Sequence, residues 1–306
     1  MFLISIITVN FNQPLATVEL LKSIQQNYLN ANIEVILVDN GSTEDKEQYF
    51  KSSYANLKYI RSEKNLGFAG GNNLGITQAE GKYLFLVNND TEFTADLIET
   101  LVSTLDDNPN VGIVSPMIKY FDEPEIIQYA GFTDMNYYTC RNTCIGQFEK
   151  DLGQYYNINA QTGFIHGAAM MVRAEVLKSS GLMAENFFLY YEEMDWCEHI
   201  KKAGYQVWVN TNALIYHKES LSVGKSSALK EFFMNRNRIL FIRRNATLSQ
   251  KVFFYFYFIL FVTPRNILKY TKERNNKFIS ILLRAITWNF KNSVDSFNLG
   301  YNLNNK

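Results

Sequence analysis

The chain has 306 residues, 47% hydrophobic and 15% aromatic, the composition of a soluble globular protein with room for one sizeable core. Its three cysteines, Cys140, Cys144 and Cys197, form no C-x-x-C pair and have no histidine at zinc spacing, which excludes a disulfide scaffold and a zinc ribbon and suits reduced thiols. Thirty basic and thirty acidic residues cancel, but unevenly: residues 218–306 hold sixteen Lys and Arg against four Asp and Glu, a net +12, leaving −12 for residues 1–217.

The first segment, MFLISIITVNF, is apolar but lacks a basic leader and meets Asn10 too early for a signal peptide, so Ile4–Val9 reads as a buried strand. Val35–Val38, Leu57–Ile60 and Tyr83–Val87 repeat the nearly continuous apolar pattern of a sheet covered on both faces. Helical spacing separates them, with Val18, Leu21 and Ile24 in Thr17–Gln26 and Leu97, Ile98, Leu101, Val102 and Leu105 in Thr94–Leu105. This alternation predicts an α/β fold, a mostly parallel twisted sheet with right-handed crossovers and helices on both faces. Ligands of such sheets sit beyond the carboxyl ends of the strands. All four ends here are polar: TVNFN (Thr8–Asn12), DNGST (Asp39–Thr43), EKNLGFAGGNN (Glu63–Asn73) and NNDT (Asn88–Thr91). The stretch NLGFAGGNNLGI (Asn65–Ile76) spends four of twelve positions on glycine and three on asparagine, which reads as a loop lying against a polar ligand in front of a helix.

Residues 119–165 are irregular and rich in Tyr, Asn and Gln, and GAAMMV (Gly167–Val172) reads as a further buried strand. Asn186–Tyr191 (NFFLYY) leads into EEMDWCEHIKKAG, whose acidic start, basic end and closing Gly204 suit a helix dipole and C-cap. Gln206–Val209 and Ala213–Tyr216 read as short strands, the second ending at His217. GKSS (Gly224–Ser227) lacks the upstream glycine of a phosphate loop, because Glu219 occupies that position. After Lys251 the eleven-residue apolar run VFFYFYFILFV stops at Thr263-Pro264, short of the roughly twenty residues that span a bilayer. Phe278, Ile281, Leu282, Ala285, Ile286 and Phe290 then recur at helical spacing among Lys277, Arg284 and Lys291. That basic amphipathic pattern suits an anionic membrane surface, or packing on the body or on a second subunit, and no nucleic-acid motif accompanies it.

Several side chains have the chemistry for a site. Asp39 closes a hydrophobic strand, where a carboxylate caps the turn or accepts from a pyrimidine imide or a ribose hydroxyl. Asp90, flanked by Asn88 and Asn89, suits a turn or a hard Mg²⁺ or Mn²⁺ ion that already carries phosphate ligands. His217 is one of three histidines, with His166 and His199, and its place at a strand end suits a structural role, a divalent site or a phosphate contact. Glu192, Glu193 and Asp195 cap a helix start directly after an aromatic run. Such surroundings raise a carboxyl pKa and favour a general base, and neighbouring helical positions point about 100° apart, so Glu192 and Glu193 do not share one task.

In order along the chain, TVNFN, VDNGSTED, NLGFAGGNNLGI, LFLVNNDTEF, GAAMMVRAEVL, FFLYYEEMDWCEHIKKAGY, IYHKESLSVGK and EFFMNRNRILFIRRN (Glu231–Asn245) resemble the glycosyltransferase family 2 enzymes of the GT-A fold, bacterial rhamnosyltransferases in particular. The resemblance implies that Thr8, Val9, Asn10 and Asn12 line the nucleotide pocket, that Asp39 beside Asn40 reads the pyrimidine base, and that Asn65, Gly67, Phe68, Gly71 and Asn72 pass beneath the diphosphate and donor sugar. Asn88, Asn89 and Asp90 stand where the family carries D-x-D, so two of three positions here are neutral amides, with His217 as a second ligand for Mg²⁺ or Mn²⁺. Glu193 falls at the catalytic base, in an E-E-x-D pattern where the family has E-D-x-D, and His166, Glu192, Asp195 and Arg236 are expected near the acceptor or diphosphate.

The implied organisation is a GT-A domain over 1–225, with a nucleotide-sugar half (1–118) and an acceptor half (119–225), and a basic helical region over 226–306. The implied activity is inverting transfer of rhamnose or a hexose from a dTDP- or UDP-sugar to a glycan or polyprenyl-linked acceptor in cell-surface polysaccharide synthesis. That places the protein in the cytoplasm at the inner membrane face, with a homodimer left open. A non-catalytic glycan- or nucleotide-binding relative is the alternative. A nucleotidyltransferase fits less well, because TVNFNQP has no Lys or Arg to hold phosphates.

Overall fold

A computed structural model describes residues 4–28, 32–219 and 227–303. The elements run β1 (Ile4–Asn10), α1 (Pro14–Tyr28), β2 (Ile33–Asn40), α2 (Glu47–Ser53), β3 (Leu57–Ser62), α3 (Gly67–Ile76), β4 (Tyr83–Asn88), β5 (Thr91–Phe93) and α4 (Leu97–Asp107). They continue as β6 (Val111–Tyr120), β7 (Ile127–Tyr129), β8 (Asn159–Gln161), β9 (Ala169–Arg173), α5 (Leu177–Ser180), α6 (Glu192–Lys202) and β10 (Gln206–His217). The helices α7 (Ala228–Asn245), α8 (Leu248–Tyr257), α9 (Thr263–Lys272) and α10 (Asn276–Lys291) close the chain.

One sheet joins the strands in the order β3-β2-β1-β4-β9-β6-β10-β5, and helices cover both faces. The β1–β4 block is parallel, as the alternation predicts, while β9 enters antiparallel between β4 and β6, so the sheet is mixed. This arrangement brings the carboxyl ends of β1, β2, β3, β4 and β10 and the amino end of β9 to one edge. Residue 118, the expected division between halves, falls inside β6, and the sheet is continuous across it. The other expected boundary, at 225, lies outside the described residues, as do most of GKSS and the end of IYHKESLSVGK.

Three elements differ from the sequence reading. The two short strands after Gly204 are one, β10, whose register to β6 shifts between Asn210 and Leu214, so a bulge interrupts the apolar pattern without ending the ladder. β3 is an edge strand with a partly open face. The third difference concerns NLGFAGGNNLGI, which is no loop before a helix: from Gly67 to Ile76 it is α3 itself. A Cβ added at Gly75 would lie 2.5 Å from Ile7 Cγ2, and one at Gly71 would lie 2.8 Å from Val9 Cγ1. The glycines let the helix seat directly on β1 and β2, so the close backbone approach is to the sheet and not to a ligand.

The C-terminal helices also depart from expectation. A π-turn at Phe258–Val262 joins α8 to α9, and Pro264 falls in the first turn of α9, where a missing N–H is tolerated. The helical run Leu248–Lys272 is therefore 25 residues, long and apolar enough by those criteria to cross a membrane, which corrects the reading from the eleven-residue run. Of the readings open for the α10 stripe, packing on the body is the one observed: Ile281, Leu282 and Ala285 are buried against α7, while Phe290 at its end stays exposed.

Gly75→Ala should destabilise the fold by about 1–3 kcal/mol in urea unfolding, because rigid, β-branched Ile7 cannot withdraw and overpacking outweighs the helix propensity gained. An unchanged midpoint would contradict the packing role of this glycine.

Candidate active site

The site is built along the sheet edge. After β4, Asp90 turns inward, and its carbonyl accepts from the Lys218 backbone N–H, which ties it to the end of β10. His217, the last residue of β10, lies with its Nε2 3.2 Å from Asp90 Oδ1. Both residues are buried, and neither of these two atoms has a hydrogen-bond partner. His217 Nδ1 lies 2.9 Å from Gln128 Oε1; with the proton on Nδ1, the Nε2 of the neutral ring presents its lone pair to the carboxylate. In the neutral tautomer two acceptors face one another in a buried site, an arrangement that either a proton on Nε2 or a bound cation satisfies. Two ligands held about 2.1 Å from a divalent ion at a right angle lie about 3 Å apart, close to the separation observed. Among the described residues no cluster of three His, Cys, Asp or Glu is present, so the remaining ligands would come from phosphate and water, the habit of Mg²⁺ and its relatives.

His166 packs edge-on to His217, with ring centroids 6.1 Å apart, and stacks on Phe132. Its Nδ1 accepts from the Ala168 N–H, and burial lowers its pKa to about 3, so the ring is neutral and positions the neighbouring backbone. The next residue, Gly167, faces Glu193 and Phe68: a Cβ built there would meet Phe68 Cζ at 3.7 Å and Glu193 Cδ at 3.8 Å. The structure thus brings Asp90, His217, His166, Phe68 and Glu193 into one continuous set of contacts.

Glu193 stands in the first turn of α6, partly buried. Burial raises its pKa to about 7, against the lowering effect of backbone N–H groups at the helix start. Glu192 is more deeply buried and is pushed further up by burial and by the adjacent Glu193, so the two titrate as a pair. The turn that presents them is strained: Phe188, Tyr190 and Tyr191 all have positive φ, from 67° to 74°. It is held from α7. Asn237 Nδ2 lies 2.7–2.9 Å from the carbonyls of Phe187, Leu189 and Tyr190, and Arg236 donates to the carbonyls of Asn186, Phe187 and Leu299.

Several residues expected to touch substrate are placed elsewhere. Arg236 is fully buried between the rings of Phe233 and Trp288, with every donor group committed to the protein, so it is a clamp and not a diphosphate contact. Asp195 is buried against Arg244 and Asn245, and Glu192 lies beneath the surface, so neither meets an acceptor. Asp39 is fully buried and accepts from Asn10 Nδ2 at 2.9 Å, from Ser42 and from Tyr59, so in this conformation it orders the β1–β2 loops and faces no base. Asn10 is saturated, its Oδ1 accepting from Gln13 and Thr17. Asn40 and Asn65 cap the start of α3 by accepting from Leu66 N–H and Gly67 N–H. Phe68 N–H goes to Phe188 O, so the leading amides of α3 are paired inside the protein. Asn72 donates to Phe68 O.

What remains open on the edge is narrower. Thr8 Oγ1 is buried without a partner, Asn12 is exposed with φ 55° and caps Thr43 N–H, Val9 is half-buried, and Asn89 reaches Thr17. Asn88 is half-buried beside Asp90. A cleft of about 1040 Å³ opens along the same edge at Phe11, Gly41 and Asn65 and is closed from outside by Phe188, Lys277 and Arg284. It borders the β1–β3 ends and does not contain Asp90 or Glu193. Gln128, Asn237, Gly167 and Ser42 escaped the sequence reading. Ser42 lay within the polar strand end DNGST and Gly167 at the head of GAAMMV, and Asn237 follows Arg236 in NRN, but its target loop lies about fifty residues upstream.

Residues 5–181, more than half of the chain, match the sequence profile of glycosyl transferase family 2, and the chain belongs to that family. It is 25% identical over 227 residues to the low-salt glycan biosynthesis hexosyltransferase Agl10 of Haloferax volcanii, covering 72% of this chain and 69% of that protein. It is 23% identical over 223 residues to the N-acetylglucosaminyl-diphospho-decaprenol L-rhamnosyltransferase of Mycobacterium tuberculosis, covering 64% and 70%. Among solved structures it resembles S. aureus TarS 1–349 in complex with UDP-GlcNAc (TM-score 0.60, 16% identity, 94% of this chain and 81% of that one). It also resembles the mannosyltransferase PcManGT of Pyrobaculum calidifontis with GDP-Man and Mn²⁺ (TM-score 0.57, 14% identity, 95% and 76%). These structures establish the GT-A fold for the chain.

If Glu193 is the base, turnover should rise with pH through an apparent pKa near 7, as the carboxylate forms. Glu193→Gln should lower kcat by about 10²-fold or more with nucleotide binding retained. Because its folded pKa is raised from 4.5, this carboxyl contributes stability that is full below about 4.5 and lost as pH rises through about 7. The gap between thermal melts at pH 5 and 8 should therefore narrow in the Gln variant, with the remainder carried by Glu192. A Gln variant with unchanged turnover would remove the assignment.

Proposed function

We propose that the chain is an inverting glycosyltransferase that moves a rhamnosyl or hexosyl unit from a dTDP- or UDP-sugar to a glycan or polyprenyl-linked saccharide. The observation that carries this reading is the pairing, on one sheet edge, of the orphaned Asp90–His217 atoms with the raised carboxyl of Glu193. The rhamnosyltransferase and hexosyltransferase relatives support the donor class, and the diphospho-decaprenol named for the mycobacterial relative supports a lipid-linked acceptor. UDP-GlcNAc in TarS supports a pyrimidine nucleotide, and GDP-Man in PcManGT makes a purine the competing choice.

In the proposed reaction Glu193 takes the proton of an acceptor hydroxyl as its oxygen attacks the anomeric carbon, and the bond to the nucleoside diphosphate breaks on the opposite face. Asp90 and His217 would hold a Mg²⁺ or Mn²⁺ ion, which supplies neutralising charge to the leaving diphosphate. Gln128 keeps the His217 lone pair directed at that position, and Asn88 and Thr8 offer polar groups to the donor along the strand ends. With Asn88 in place of the first acid of D-x-D, the protein contributes a single carboxylate there, so metal affinity depends strongly on the diphosphate. A cytoplasmic location at the inner membrane face follows from a nucleotide-sugar donor and a lipid-linked acceptor. A non-catalytic binding relative is the second reading, favoured by the amide-rich NND element.

Calorimetry with UDP, dTDP, GDP and ADP, each with and without Mn²⁺, tests the proposal. Binding of UDP or dTDP that strengthens at least about tenfold with Mn²⁺, and loses that gain in Asp90→Ala, is expected. No nucleotide binding under any condition would overturn it.

A further inference from the structure

The helical run Leu248–Lys272 carries two unlike faces. Phe254, Phe258, Val262 and Tyr270 form a buried stripe, seated against the body for most of the length of the run. On the other side Val252, Phe253, Phe256, Leu260, Phe261 and Leu268 are between 49% and 66% exposed. From Val252 to Leu268 this apolar face extends about 24 Å. An aromatic-rich patch of that length is far beyond the scattered exposed residues of a soluble surface.

Charge says what covers it. Lys251, Arg265, Lys269 and Lys272 lie along the same run, which has no acidic residue between Leu248 and Lys272. Residues 247–303 hold eight basic residues against Glu273 and Asp295. A second copy would have to meet like charge with like charge at this face, whereas an anionic lipid surface complements it. The buried stripe also bears on orientation: Phe254, Phe258, Val262 and Tyr270 hold the run against α7 and α10 along the protein surface, which favours a helix lying in the membrane plane over one threading it.

We propose that this helix lies in the plane of an anionic membrane, its Phe256–Leu260–Phe261 face inserted among the lipids and its Lys and Arg residues at the headgroups. The site assigned is thus on α8–α9 and not on α10. A ribbon links it to the catalytic edge. Tyr138 packs edge-on against Phe253 and Arg141 lies over the Tyr257 ring at one end, while Phe132 stacks on His166 at the other. A membrane seated on the helix therefore lies one hairpin away from the site, the placement a lipid-linked acceptor requires. That last point rests on the transferase reading; the docking surface does not.

The test uses the full chain with vesicles of phosphatidylcholine alone and of phosphatidylcholine with phosphatidylglycerol. Co-sedimentation with the anionic vesicles is expected, weakened but not abolished by high salt, and released by alkaline extraction. Phe256→Glu/Phe261→Glu should lower vesicle partitioning at least about tenfold while nucleotide binding and melting temperature stay at wild-type values. Arg265→Glu/Lys269→Glu should remove the preference for anionic lipid. Three results would overturn the inference: no vesicle binding by the wild-type chain, equal binding by the Phe variant, or resistance to alkaline extraction, which marks a spanning helix. A dimer in light scattering that the Phe variant dissolves, without vesicle binding, would assign the face to a second copy instead. Nucleotide binding measured in the same preparations separates the two accounts, since it can persist when vesicle binding fails and fail when vesicle binding persists.

Discussion

The candidate site depends on two adjacent residues of α7. Arg236 and Asn237 reach across to the residue 186–191 turn and hold its carbonyls, and that turn sets where Glu193 stands. The arrangement is costly. Three non-glycine residues in the left-handed region add roughly 1–3 kcal/mol each, and a guanidinium removed from water adds several more. Burial pulls the Arg236 pKa down to about 9, while four hydrogen-bonded partners and two flanking aromatic rings compensate for lost hydration. A cation is well suited to this position because it donates in several directions from one rigid plane, and no neutral side chain does so. The C-terminal helices thereby support the turn that carries Glu193: α10 and the residues after it supply Trp288 and Leu299 to the same clamp.

From the clamp outward, the site is a division of labour. The parallel strands bring polar ends to one edge, the inserted antiparallel β9 delivers His166 and Gly167 to that edge, and β10 delivers His217. Most of the polar residues on the edge bond to one another. Asn10, Asp39, Ser42, Asn40 and Asn65 form a scaffold that stiffens the loops, and the atoms left unpaired, Thr8 Oγ1, Asp90 Oδ1 and His217 Nε2, are few. Such sparse unpaired atoms in a buried setting are where a ligand gains most, since it satisfies groups that otherwise lack partners.

The α/β class and the polar strand edge were legible because each follows from local pattern, an apolar run and then a polar end; that pattern marked Asp90 and His217 as candidates, while Glu193 was singled out among its acidic neighbours by the family resemblance. What was not legible depends on which atoms meet. NLGFAGGNNLGI advertises backbone freedom equally well for a ligand loop and for a helix pressed onto a sheet, and only the position of Ile7 and Val9 beneath it decides between them. An arginine in EFFMNRNRILFIRRN gives no sign of whether it faces a phosphate or carbonyls 49 to 63 residues away in the chain. The amphipathic stripe of α10 has the same period whether it faces lipid or α7, and the helix that does expose its aromatics was hidden by Pro264, which a π-turn accommodates.

The central claim is that the Asp90–His217 pair is a cation position serving a nucleoside diphosphate. Anomalous diffraction at the manganese edge from crystals grown with Mn²⁺ and UDP or dTDP tests it directly. The account predicts a single strong peak between Asp90 Oδ1 and His217 Nε2, about 2.1–2.3 Å from each, with diphosphate oxygens completing its shell. Clear nucleotide density on the strand edge with no anomalous peak at that point would contradict it.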